Sequence, residues 1–90
     1  MIVKALKIMP ETAIKIFEKH NVLQEEVYDA LKTGKPRFKK AGGDQYVAIG
    51  LSRSRYVTIC FSYDEKTREA EIRTAYPSNK AQVKAYKKTS

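Results

Sequence analysis

Apolar residues recur every three or four positions through the first third of the chain and alternate with polar ones through most of the rest. Ile2 to Met9 alternates loosely, with Ile2, Lys4, Leu6 and Ile8 set against Val3, Ala5, Lys7 and Met9, and predicts a first strand. Pro10 suits the first turn of a helix, where its missing N–H would have no partner anyway, and Glu11 complements the positive end of the helix dipole. Ala13, Ile16, Phe17 and His20 then fall on one face, which predicts a helix over 10–20 ended by Asn21. Leu23, Val27, Ala30 and Leu31 keep helical spacing, so a second helix is expected over 24–33, with Gly34 as its stop. The two helices form a hairpin, and their apolar faces have to cover a sheet.

Strands follow. Residues 36–41 make a short and very basic one. Residues 45–52 place Val47, Ile49 and Leu51 on one side and Tyr46, Ala48 and Gly50 on the other. Residues 55–63 set Val57, Ile59 and Phe61 against Tyr56, Thr58, Cys60 and Ser62. Residues 68–75 form a last strand with Ala70, Ile72 and Thr74 inward, broken by Pro77. Gly42-Gly43-Asp44, Ser52-Arg53-Ser54 and Asp64-Glu65-Lys66 are the turns between strands. Ser78 or Asn79 can cap a final helix to about Lys88. Short links between consecutive strands imply an antiparallel meander. The expected fold is one α+β domain over 1–90, a helix hairpin packed on a small antiparallel sheet of four to five strands and closed by a C-terminal helix.

Composition adds bounds. The apolar fraction of 42% is ordinary for a folded protein. No window approaches the roughly 18 apolar residues of a membrane helix, and the N-terminal stretch is too short and lacks the small-residue cleavage site of a secretion signal. The single cysteine, Cys60, excludes an internal disulfide and suggests a reducing compartment, so a cytoplasmic protein is expected. The net charge of +8 is unevenly spread. Residues 1–31 carry four lysines and five acids, whereas residues 32–90 carry fourteen Lys or Arg and five acids. That split predicts a basic face for a polyanion or an acidic partner.

Three patches carry the excess. The first is Lys35-Pro36-Arg37-Phe38-Lys39-Lys40, where Arg37, Lys39 and Lys40 interleave with a ring and suit phosphate contact plus base stacking. The same pattern serves an edge strand whose lysines block aggregation. The second is the outward face of the later strands, with Arg53, Arg55, Tyr56 and Arg73. An arginine there can hold a phosphate through two parallel hydrogen bonds, and a cross-strand ion pair is the alternative for Arg73. The third is the C-terminal run from Arg73 to Lys88. It has no acid after Ala75, and Lys80, Lys84 and Lys87 recur at i, i+4 and i+7 on one stripe. Val83 and Tyr86 lie on a different side, so Tyr86 is either a docking anchor or a phenol presented to substrate.

One His and one Cys exclude a zinc site built from nitrogen and sulfur ligands, and no glycine-rich phosphate loop occurs. The spacing of His20 points it at the core or at the helix-end dipole, and Cys60 reads as a packing residue. RNA, however, can be cut by its own 2′-hydroxyl attacking the adjacent phosphate. Arg and Lys then stabilise the developing charge, and a Lys or Tyr moves protons. Among these patches Arg73, Lys84 and Tyr86 are the candidates for such a step, with Arg37, Lys39, Lys40, Arg53, Arg55, Tyr76, Lys80 and Lys87 as RNA contacts.

The layout of helix hairpin, antiparallel strands and closing helix, ending in Ile72-Arg73-Thr74-Ala75-Tyr76 and a helix carrying Tyr86, resembles the BrnT-like branch of the RelE/ParE toxin superfamily. Tyr46-Val47-Ala48-Ile49-Gly50, followed by Arg55-Tyr56-Val57-Thr58-Ile59, is similar to that branch's strand pair, and Val22 to Leu31 to its second helix. The resemblance spans roughly residues 10–88. It implies a toxin of a type II toxin–antitoxin pair, a metal-independent endoribonuclease without cofactor that cleaves mRNA, on or off the ribosome, and arrests translation. It also implies a cognate antitoxin over the basic site, leaves a homodimer open, and matches Arg73 and Tyr86 to its strand-end and final-helix positions; the catalytic roles of these two residues are what the resemblance implies. The chain departs from the pattern at two places: it has Tyr76-Pro77 where BrnT-like sequences tend to carry a second basic residue after the Ala, and Pro10-Glu11 where related domains often show a His at the start of helix 1. A non-catalytic RNA- or partner-binding domain and a gyrase-directed toxin of the same fold are the alternative readings.

Overall fold

The computed structural model describes residues 1–53 and 55–89. Ser54, the last residue of the expected Ser52–Ser54 turn, lies outside the described residues. The elements run β1 (Ala5–Lys7), α1 (Pro10–His20), α2 (Gln24–Lys32), β2 (Arg37–Gly42), β3 (Gln45–Leu51), β4 (Tyr56–Asp64), β5 (Glu69–Pro77) and α3 (Lys80–Thr89). β2 to β5 form the expected antiparallel meander. β1 is shorter than expected and joins β5 in parallel, giving a mixed five-stranded sheet in the order β1-β5-β4-β3-β2. The long connection through both helices and the meander that separates β1 from β5 permits parallel pairing.

α1 and α2 cover one face of the sheet. Ile16, Val22, Val27, Ala30 and Leu31 meet Ala48, Val57, Ile59, Phe61, Ala70, Ile72 and Ala75 in the core. Each large side chain among these contributes about 1.5–3 kcal/mol by leaving water. α2 lies closest. A methyl group on Gly50 would collide with the Ala30 carbonyl, and one on Gly34 with the backbone of Leu51. Asn21 ends α1 in the left-handed region at φ 54°, with its N–H donating to the Phe17 carbonyl.

The last strand departs from simple alternation. Its register with β4 jumps from Cys60↔Thr74 to Phe61↔Ile72, which leaves Arg73 as the extra residue of a β-bulge. Ala70 and Ile72 point inward as expected, but beyond the bulge it is Ala75 that is buried, and Thr74 turns to the opposite face. Pro77 does not break the strand. The Ser78 N–H donates to the Tyr56 carbonyl, so the proline nitrogen next to it points at the open edge, where no ladder bond is lost.

α3 lies on the second face of the sheet, at the end of β4 that holds Tyr56 and Thr58. Asn79 caps it: its Oδ1 accepts from the Gln82 N–H at 2.8 Å, and the Gln82 Oε1 accepts from the Asn79 N–H at 2.9 Å. Ser78, the other expected cap, is bonded instead to the buried Thr58 hydroxyl at 2.7 Å. No helix among the described residues is long and apolar enough to cross a membrane.

Candidate nucleic-acid interface

Alternation assigns the second face of the sheet to Arg37 and Lys39 of β2, Gln45, Val47 and Ile49 of β3, Thr58, Cys60 and Ser62 of β4, and Glu71, Thr74 and Tyr76 of β5. α3 covers the end at Tyr56 and Thr58. The other half stays open, with Gln45, Val47, Cys60, Ser62 and Thr74 all partly exposed. Its floor is small and polar. The Gln45 amide donates to Asp44 at 2.9 Å and to the Ser62 hydroxyl at 3.4 Å. Burial pushes the Cys60 thiol up, so it stays protonated at neutral pH.

The bulge delivers Arg73 to this floor. Its side chain is exposed, and its Nε donates to the Ser62 hydroxyl at 3.0 Å. Among the described residues no carboxylate lies at ion-pair distance from it. Glu71 shares the face, aligned between Ser62 of β4 and Lys7 of β1. On the far side of the floor Arg37 and Lys39 are exposed opposite Ile49 and Val47. They border a groove of about 570 Å³ that runs from β2 to Ala85 and Tyr86 of α3. Three inter-strand spacings, about 14 Å in all, separate β2 from β5. A single polyanionic strand can therefore lie across the floor with cations at both ends.

Other expected contacts fall elsewhere. Arg55 does not reach this face. Its Nε donates to Glu26 Oε1 at 2.8 Å, and its Nη2 to Glu26 Oε2 at 2.9 Å and to the Asn21 carbonyl at 2.6 Å. The arginine holds the Glu26 carboxyl below its ordinary value, more strongly than burial raises it, and Glu26 in turn raises the guanidinium. Arg53 sits in the turn after β3, 3.4 Å from Asp29 of α2. Both arginines stand beside α2 because the chain turns there, toward acids that the sequence places on that helix. Lys40 alternates away from Arg37 and Lys39, opposite Tyr46. Phe38 supplies no stacking platform, because it turns inward and meets the buried Phe61 edge-on, with ring centroids 6.1 Å apart.

The catalytic set does not converge. The Tyr86 hydroxyl donates to the Lys35 carbonyl at 2.8 Å, and its ring packs on Tyr56 at 5.1 Å, which makes it the anchor of α3. Tyr56 and Ser62 are six residues apart on β4, roughly 20 Å, so Tyr86 and Arg73 cannot hold one phosphate. Lys80, Lys84 and Lys87 do share a stripe, but with Ser78 they line a different groove along the other flank of α3. The Lys87 ammonium lies 5.9 Å from the centre of the Tyr56 ring. Tyr76 is partly buried: its hydroxyl accepts from the Gln82 amide at 3.3 Å, and its ring lies 5.8 Å from that of His20.

Two cations escaped the sequence reading. Lys15 and Lys19 stand on α1 beside Arg73, along the part of β5 that β1 does not reach. Summing charge over 1–31 cancelled them against acids of α2, two of which are already neutralised by Arg55 and Arg53. The spacing of Thr12, Lys15 and Lys19 on one helical face was the signal available. No protein-family model matches the chain, and no curated protein matches it.

Proposed function

We propose that this protein binds single-stranded RNA across the open half of its second sheet face and acts on mRNA as the toxin of a type II toxin–antitoxin pair, in the cytoplasm. The observation that carries the reading is Arg73. A bulge sets it on an open, polar floor, exposed, with a serine hydroxyl as its hydrogen-bond partner, while Arg37 and Lys39 stand at the opposite side. A guanidinium so placed can take a phosphodiester through two hydrogen bonds without first breaking an ion pair.

On this reading the protein cuts RNA as a metal-independent endoribonuclease. The 2′-hydroxyl loses its proton to solvent water and its oxygen attacks the adjacent phosphorus, the 5′-oxygen leaves and takes a proton from water, and Arg73 stabilises the charge that gathers on the non-bridging oxygens. The products are a 2′,3′-cyclic phosphate and a 5′-hydroxyl. The cognate antitoxin covers the same floor with carboxylates. The resemblance to BrnT-like toxins supports the cutting step, and the charge and exposure of the floor support the binding step.

The test pairs affinity with outcome in cells. Binding of an oligouridine should weaken with salt, and each phosphate contact removed should reduce the slope of log K against log salt by about 0.7. Inducing the wild type should arrest growth and fragment transcripts, and Arg73→Ala should do neither. Salt-dependent binding with intact transcripts would favour the non-catalytic binding domain. Intact transcripts with a DNA-damage response would favour the gyrase-directed reading.

A further inference from the structure

We infer that the cleft between α1 and the uncovered edge of β5 is a phosphate-binding site that takes the RNA phosphate next to the one held on the sheet floor, an assignment that rests on the RNA reading above. β1 ends at Lys7, opposite Glu71, so among the described residues no strand flanks β5 on that side from Ile72 onward, and α1 packs along that edge instead. The cleft left between them is about 310 Å³. Thr12, Lys15 and Lys19 enter it from one stripe of α1, with His20 at the helix end, and Arg73 and Thr74 enter from β5. Ile16, which also lines the cleft, is buried at 4% exposure and fixes that stripe against the sheet.

The chemistry is that of an anion site. Two lysines, an arginine and two hydroxyls line it together, and no carboxylate lines the cleft among the described residues. Lys15, Lys19 and Arg73 repel one another when the cleft is empty, and an anion between them relieves that repulsion. His20 is held from behind. Its ring packs on Tyr76, whose hydroxyl is bonded to Gln82, which in turn caps α3 and bonds Thr58 at 3.1 Å. The imidazole is thus tied, through side-chain contacts, to the element that closes the sheet face.

Arg73 decides which anion. It lines the cleft and at the same time bonds Ser62 on the sheet floor, so cleft and floor share one guanidinium. A free anion needs only the cleft. A polymer with phosphates at regular spacing engages cleft and floor together, and the second contact follows at high effective concentration.

The experiment uses the full chain, a twelve-residue oligouridine and inorganic phosphate as probes. Inorganic phosphate should shift the amide resonances of Thr12, Lys15, Lys19 and Arg73 and compete with the oligouridine. Lys15→Ala with Lys19→Ala should lower oligouridine affinity about tenfold and reduce the salt slope by about 0.7. Its thermal melt should match the wild type, because both side chains are exposed. If that double variant binds oligouridine with wild-type affinity and slope while Arg37→Ala and Lys39→Ala weaken it, the cleft assignment is overturned and the sheet-face reading stands. If the wild type ignores oligouridine but inorganic phosphate still shifts the cleft resonances, the RNA assignment is overturned and the sheet-face reading falls with it.

Discussion

Arg55, in the bend just before β4, and Arg73, on the neighbouring strand β5, live in opposite surroundings. Arg55 is gripped by both oxygens of Glu26 and by the Asn21 carbonyl, with 33% of its side chain exposed. Arg73 stands on a bulge, exposed, with a serine hydroxyl as its hydrogen-bond partner. The first arginine ties β4 to the helix hairpin. The second is available to something outside the chain. Around each, the backbone matches: α2 lies so close to β3 that Gly50 admits no side chain, whereas on its β1 side β5 has no strand beyond Glu71 among the described residues. A guanidinium closed into the fold and one left exposed thus stand at different places around one sheet.

The sharpest break of that comparison is Gly50→Ala. The new methyl collides with the Ala30 carbonyl, and overpacking against backbone should cost about 3 kcal/mol or more. At about 4–8 °C per kcal/mol for a domain of this size, the melting temperature should fall by at least 12 °C. A melt within 2 °C of wild type would show that α2 is not seated as described. Glu26→Gln comes next. It removes a charge-assisted pair that solvent partly screens, so about 1–2 kcal/mol of stability should go in urea unfolding, with RNA affinity of the folded protein unchanged.

The same pair sets a pH signature. Because folding lowers the Glu26 pKa, its stabilisation is complete above the ordinary value of 4.5 and is lost as pH falls through the lowered folded value. The stability gap between wild type and Glu26→Gln should therefore close in acid. A gap that stays constant down to pH 2 would remove Arg55 as the cause. Smaller still is Arg53→Ala. Its pair with Asp29 leaves 82% of the arginine side chain exposed, so stability should move by no more than about 0.5 kcal/mol and RNA affinity not at all.

Much of the fold was legible because burial imposes a period. Val57, Ile59 and Phe61 had to share a face, and Ile16 with Ala13 and His20 had to share a helix side. The bulge at Arg73 was not legible. It inserts one residue into a run, Ala70 to Thr74, that alternates well enough without it, and the pairing with β4 decides which register wins. The parallel seat of β1 was equally hidden, because three residues carry too little pattern to choose a partner. At the site, charge density was readable but direction was not. Lys80, Lys84 and Lys87 were correctly placed on one stripe, yet which flank of α3 faces the open floor depends on how Tyr86 and Gln82 dock. Arg55 read as a contact for RNA because its partner, Glu26, is twenty-nine residues away in sequence.

The central claim is that Arg73 is held for a ligand and Arg55 for the fold. The most direct measurement is oligouridine affinity across a salt series for wild type, Arg73→Ala and Arg55→Ala, with urea unfolding of each. Arg73→Ala should lose about tenfold in affinity and about 0.7 of the salt slope, while its stability stays within about 0.5 kcal/mol of wild type. Arg55→Ala should do the reverse, losing stability and keeping the affinity and slope of whatever fraction is folded. If Arg73→Ala instead binds like wild type and unfolds more easily, the bulge arginine belongs to the fold and the interface lies elsewhere.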